Sequence, residues 1–159
     1  MKIFICFVSF FWAIPQGFAQ SNLVQFEQID SLQKVEKRNV IVFIHTDWCK
    51  YCKAMQSKTF KDETVIKEIN ENFYFVDFDA EEKRKIVFNH ATFRFKANGN
   101  NSGIHELAIE LGTINSQISY PIVCVLNYKN EIVFQNNSFL NAKDLIKILD
   151  KIKGNETGK

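Results

Sequence analysis

Proline is nearly missing from this chain: two in 159 residues, at Pro15 and Pro121. Glycine is scarce as well, at six. Collagen-like repeats, long Pro/Gly linkers and low-complexity segments are therefore excluded, and each proline marks a particular place. A charge excess of one sign is also missing, because twenty basic residues stand against eighteen acidic ones, for a formal +2. That argues against nucleic acid and strongly anionic membrane surfaces as partners. Of the four cysteines, Cys6 lies in the N-terminal apolar run, Cys49 and Cys52 stand close together and Cys124 stands alone, which is not a structural disulfide framework. Only three histidines are present, His45, His90 and His105. Cys49-x-x-Cys52 with His90 and His105 would be a poor zinc site, because the histidines stand fifteen apart instead of three to five. No metal is expected. Cys49 and His45 lack the oxyanion motif and orienting third group of a cysteine hydrolase. His45 reads as a strand-end residue near the site, His90 as a turn residue and His105 as an exposed helix residue.

What is present begins with a targeting segment. Lys2 supplies positive charge, Ile3 to Ile14 is almost unbroken hydrophobe, and Gly17-Phe18-Ala19 offers small residues for cleavage. This is the grammar of a secretory signal peptide over residues 1–19, with the cut expected after Ala19. The apolar run is short of the roughly 20 residues of a membrane span, and an uncleaved N-terminal anchor is the alternative. Cys6 lies inside the run, not after it, which is wrong for a lipoprotein. The mature protein is expected in the periplasm or secreted, where disulfides persist. It would keep Cys49, Cys52 and Cys124.

Residues 20–153 read as one domain with a real core and little beyond it, with 154–159 as a flexible polar tail. Val24, Phe26, Ile29, Leu32 and Val35 have helical spacing. Val40 to Ile44 is a continuous apolar run, as in a strand buried on both faces. Lys50 to Ser57 is helix-forming, so Cys49 falls where a buried strand gives way to a helix. Asp62 can cap a further helix with Val65, Ile66 and Ile69. Phe73 to Phe78 is a strand. Ile86–Asn89 and Thr92–Phe95 read as short strands around a His90-Ala91 turn, followed by an Asn/Gly-rich loop to Gly103. Ile104 to Leu111 reads as a helix closed by Gly112. Pro121–Leu126 and Glu131–Gln135 are strands around a turn, and Asn141–Ile152 is the last helix. The order predicts an α/β sandwich around one mixed sheet. Cys124, in the most apolar strand, reads as a buried free thiol.

The pair at a helix start carries the chemistry. Unsatisfied amides and the helix dipole stabilise a thiolate at the first cysteine. Two intervening residues let the second sulfur reach the first. Cys49 can attack a substrate disulfide and Cys52 can resolve the mixed disulfide. Trp48 forms an apolar shelf beside it, and Lys50 and Lys53 add positive charge.

The stretch Thr46-Asp47-Trp48-Cys49-Lys50-Tyr51-Cys52-Lys53 after a buried strand, with Tyr120-Pro121 before another, resembles the thioredoxin superfamily. It is similar to the C-terminal domain of membrane thiol:disulfide interchange proteins. The resemblance implies a thioredoxin-like fold, a central mixed sheet flanked by helices, with residues 86–103 inserted as a hairpin or loop before the proline strand. It implies a cis bond at Pro121 and substrate contacts at Trp48, Lys50, Tyr51, Tyr120 and Pro121. It implies a thiol–disulfide oxidoreductase that needs no cofactor beyond the Cys49–Cys52 disulfide. Disulfide-containing proteins would be the substrates, a membrane interchange protein the electron donor, and the chain a monomer. A disulfide oxidase or isomerase, and a non-catalytic client-binding module, are the alternatives. Two departures stand out. Phe43 occupies the place, six residues before Cys49, where family reductases keep a buried acid. Asp47 and Asp77 are the candidate substitutes. The insertion reads as a decoration over the sheet edge, with a wall of the substrate groove as the rival.

Overall fold

Six consecutive buried residues, Asn39 to Ile44, start the first strand, and such a run is stable only between two covering layers. The computed structural model describes residues 21–100 and 102–157. The signal segment and its cleavage site lie outside the described residues. In chain order the elements are α1 (Phe26–Val35), β1 (Asn39–His45), α2 (Lys50–Ser57), a short 3-10 turn (Thr59–Lys61), α3 (Glu63–Asn72), β2 (Phe73–Asp79), β3 (Ile86–Phe88), β4 (Ala91–Phe93), β5 (Phe95–Ala97), β6 (Gly103–His105), α4 (Glu106–Gly112), β7 (Ile122–Leu126), β8 (Ile132–Asn136) and α5 (Ala142–Thr157).

The main sheet has the order β2-β1-β7-β8. β1 runs parallel to β2 and antiparallel to β7, and β8 is antiparallel to β7, so the sheet is mixed. Side chains alternate along β1. Val40, Val42 and Ile44 join Phe26 and Leu107 on one face. Ile41 and Phe43 join Cys52, Met55, Val65 and Leu145 on the other. Each fully buried large apolar side chain contributes about 1.5–3 kcal/mol. Asp62 caps α3 as its sequence position suggests, accepting from the Thr64 and Val65 amides at 3.0 and 3.2 Å.

The insertion differs from expectation in three ways. Its first hairpin turns at Asn89 and His90, both left-handed with φ 49° and 62°, so the turn sits one residue earlier than the pattern suggests. The second strand stops at Phe93, and Arg94 is held by Glu106 through a 2.8 Å bond from its amide and a 2.9 Å bond to its carbonyl. A second hairpin, β5–β6, then spans the Asn/Gly loop. A side chain at Gly103 would meet the Lys96 carbonyl and the Phe95 ring, so the close pairing needs glycine there. The insertion pairs with neither edge of the main sheet. It packs on α1 instead, with Phe88 5.2 Å from Phe26 between ring centroids.

Ile104 and His105 are strand residues, and the helix begins only at Glu106. His105 is not an exposed helix residue. It is buried at the N-cap of α4, where Nδ1 accepts from the Leu107 amide and Nε2 donates to the Arg84 carbonyl, both at 3.1 Å. α5 continues to Thr157, beyond Ile152 where the sequence pattern ends, so residues 154–157 of the expected flexible tail are helical instead. Among the described residues, no helix is long and apolar enough to cross a membrane.

Candidate active site

β1 delivers the chain to the site. It ends at His45, and Thr46–Trp48 forms the link to α2. Cys49 is the N-cap of α2, with its own amide bonded to the Thr46 carbonyl at 3.2 Å. Its Sγ accepts from the Cys52 amide at 3.1 Å. This is the position where unpaired amides and the helix dipole favour negative charge on sulfur. Cys49 and Cys52 form a disulfide with sulfurs 2.11 Å apart. Cys52 is wholly buried and Cys49 is 5% exposed, so Cys49 is the sulfur that reaches the surface.

The surface around Cys49 is aromatic. Trp48 and Tyr51 are two-thirds exposed. Trp48 is fixed on two sides. Its ring stands edge-on to Tyr120 at 6.0 Å, and its Nε1 donates to Glu81 at 3.2 Å. The Tyr120–Pro121 peptide bond is cis, and Pro121 is buried at the start of the β7 segment. A groove of about 320 Å³ is lined by Tyr51, Tyr120, Pro121, Asn137, Ser138 and Phe139, together with Ser119. Lys50 and Lys53 are exposed on α2, and Asp47 is exposed in the link. The structure thus sets Trp48 against Tyr120, packs Tyr120 on the apolar cluster that holds both cysteines, and joins Tyr51, Tyr120 and Pro121 in one groove, while Lys50 stays exposed on α2. Among the described residues, the insertion contributes no side chain to this groove.

Burial, reinforced by Glu81 and Asp79, pushes the Tyr120 hydroxyl up to about 12. Tyr120 therefore presents a neutral hydroxyl to the groove at neutral pH. Cys124 is free and wholly buried on β7, and burial pushes its thiol up to about 12. It is a core residue with no thiolate to offer.

Two neighbours, Phe139 and Glu81, escaped the sequence reading, and so did the pairing of His45 with Asp77, two residues it names separately. Phe139 lies 6.5 Å from Tyr51 between ring centroids and extends the groove wall. Glu81 anchors Trp48. His45 pairs with Asp77, Nε2 to Oδ1, at 3.0 Å. A lone phenylalanine before a final helix carries no sequence signal for a groove. Glu81 and Asp77 lie 33 and 32 residues from their partners, and only the sheet register joins them. Phe43 is wholly buried, stacked on His45 at 5.4 Å and against Phe60 at 4.7 Å. Among the described residues, no three His, Cys, Asp or Glu side chains cluster as metal ligands would.

A redox disulfide at the first turn of a helix, on a mixed sheet between two helical layers, defines a thioredoxin-like thiol–disulfide oxidoreductase. The chain belongs to the thioredoxin-like domain family, whose model matches residues 25–153. Among solved structures it is similar to the DsbH oxidoreductase, at 14% identity and TM-score 0.61, covering 93% of this chain and 95% of that one. It is similar to a thioredoxin from Thermus thermophilus, at 16% identity and TM-score 0.61, covering 89% and 94%. The oxidised C-terminal domain of DsbD from Neisseria meningitidis matches at 19% identity and TM-score 0.53, covering 79% and 90%. At these identities the likeness is one of fold. No curated protein matches the chain.

Proposed function

We propose that this protein is an exported reductant of protein disulfides. The carrying observation is the placement of Cys49: its sulfur caps α2, and beside it lies the groove bounded by Tyr120 and Pro121. In the reduced protein the Cys49 thiolate attacks one sulfur of a substrate disulfide, and the other substrate sulfur leaves. Cys52 then attacks Cys49, which re-forms the disulfide and frees the reduced substrate. The backbone at Tyr120 and the cis-Pro121 ring orient an extended substrate segment, while Trp48 and Tyr51 shield it from water. Lys50 and Lys53 favour thiolate over thiol, weakly, because water screens them. No cofactor enters this cycle.

The N-terminal apolar segment supports export to the periplasm or beyond. Electrons would come from a membrane thiol:disulfide interchange protein, and the protein would act as a monomer on other exported proteins. Reduction of insulin by dithiothreitol, followed by turbidity, tests the reading. Wild type accelerates precipitation, and Cys49→Ser and Cys52→Ser do not. Equal rates for all three would mean a client-binding module without redox chemistry.

A further inference from the structure

The second cysteine presents a proton problem. Cys52 has no solvent exposure, so its thiol proton cannot pass straight to bulk water when it resolves the mixed disulfide. Phe43 fills the nearby core position with an apolar ring. The charged groups lie one step further along the same face. His45 follows Phe43 by two residues on β1, so strand alternation puts both side chains on the face covered by α2. The two rings stack, 5.4 Å apart at 25°. Asp77 is the register partner of Phe43 on β2, which puts its carboxylate on that face too. His45 Nε2 lies 3.0 Å from Asp77 Oδ1.

We propose that His45, oriented by Asp77, accepts the Cys52 proton during resolution, directly or across one water, in place of the acid that Phe43 excludes. This rests on the oxidoreductase reading above. Nε2–H donates to the Asp77 carboxylate, which leaves Nδ1 as the acceptor. The pattern of a carboxylate fixing the tautomer of a proton-accepting imidazole is chemically general. In the step, the Cys52 S–H bond breaks and its proton goes to Nδ1. The sulfur electron pair forms the bond to Cys49, the bond from Cys49 to the substrate sulfur breaks, and the departing thiolate takes a proton from solvent. His45 must then shed its proton. Its side chain is 13% exposed and that of Asp77 32%. Asp77 also borders a cavity of about 220 Å³ with Gln56, Phe60 and Lys61, which provides a route to water.

The other titratable and charged groups at this end are accounted for. Asp79 is the register partner of His45, and its carboxylate is already engaged by the Glu81 amide at 2.9 Å. Burial raises Asp79 above the usual carboxylate range, while His45 lowers it and Asp47 and Glu81 raise it. Lys61 reaches the cavity from the 3-10 turn.

The test separates the two chemical steps. Reduced full-length protein is mixed with excess 5,5′-dithiobis(2-nitrobenzoate) in a stopped-flow instrument, and release in Cys49→Ser is subtracted. The first thionitrobenzoate reports attack by Cys49 and depends on reagent concentration. The second reports resolution by Cys52 and does not. His45→Gln slows the second phase by about tenfold or more near neutral pH and removes an inflection from its pH profile, with the first phase kept within about twofold. Asp77→Asn, at a more exposed position, slows the second phase by a smaller factor and guards against a folding defect in the histidine variant. A second phase unchanged in both variants, or both phases slowed in parallel, overturns the proposal. A wild type without any second release overturns the oxidoreductase reading itself.

Discussion

Trp48 stands edge-on to Tyr120, with ring centroids 6.0 Å apart and planes at 76°. This contact ties the helix that carries the disulfide to the segment that carries the cis peptide bond. Edge-to-face pairs contribute about 0.5–1.5 kcal/mol beyond their buried area. Trp48 is nonetheless mostly exposed, and the proposed function makes it a docking surface for substrate. Trp48→Ala is expected to lower kcat/KM for a folded protein disulfide by about five- to tenfold, chiefly through KM. Its reaction with a small aromatic disulfide should change little. Steady-state insulin reduction against 5,5′-dithiobis(2-nitrobenzoate) kinetics reads the difference.

Cys124 should be chemically silent. Its thiol is wholly buried and pushed up to about 12, so almost no thiolate exists near pH 8. Reduced native protein treated with iodoacetamide should carry label on Cys49 and none on the Cys124 peptide by mass spectrometry. Label on Cys124 should appear only after denaturation. Cys124→Ala should leave insulin reduction unchanged.

His105 makes stability depend on pH. Burial holds its ring below the ordinary 6.5, only partly opposed by the Arg84 carbonyl and by Glu82 and Glu106. The unfolded chain therefore binds the proton more readily than the native one. Stability is fully present above about 6.5 and is lost as pH falls from there towards the native value. The urea midpoint should drop between about pH 7.5 and about pH 5. His105→Asn keeps a capping acceptor but cannot titrate, so its midpoint should drop less. An equal drop in both proteins would place the pH dependence elsewhere.

Asp62 offers a structural control away from the site. It satisfies two amides at the start of α3, where the helix dipole also favours a carboxylate. Asp62→Ala should cost about 1 kcal/mol in urea unfolding, and Asp62→Asn a fraction of that. The rate of the first thiol-exchange step should not change in either.

These residues also mark what a sequence can reveal. Val40–Ile44, Asp62, Cys49 at a helix start and Pro121 were legible because each signal is local: a buried run, a cap, a motif, a rare residue. The β5–β6 hairpin was not. Its strands are three residues each and flank an Asn/Gly loop, so no alternation is long enough to read. His105 followed the apolar spacing of the helix after it, and only the tertiary packing shows that it ends a strand and caps that helix. The His45–Asp77 pair depends on the parallel register of β1 and β2, which a separation of 32 positions conceals. Phe139 enters the groove because the chain between β8 and α5 passes beside Tyr51. The fold and the two cysteines were thus readable, while the groove and the His45–Asp77 pair required the sheet to be assembled.

The direction of electron flow is the claim most open to a single measurement. Potentials of related dithiols run from roughly −270 mV for a reductant to −120 mV for a strong oxidant, several powers of ten in equilibrium constant. Lys50 and Tyr51 between the cysteines do not by themselves place the couple within that span. The Cys49–Cys52 couple should be titrated against glutathione redox buffers, with the reduced fraction counted by alkylation and mass spectrometry. A reductant predicts a midpoint well below −200 mV, in the range of about −230 to −270 mV. A midpoint above about −150 mV, or a pair that does not titrate at all, would contradict it.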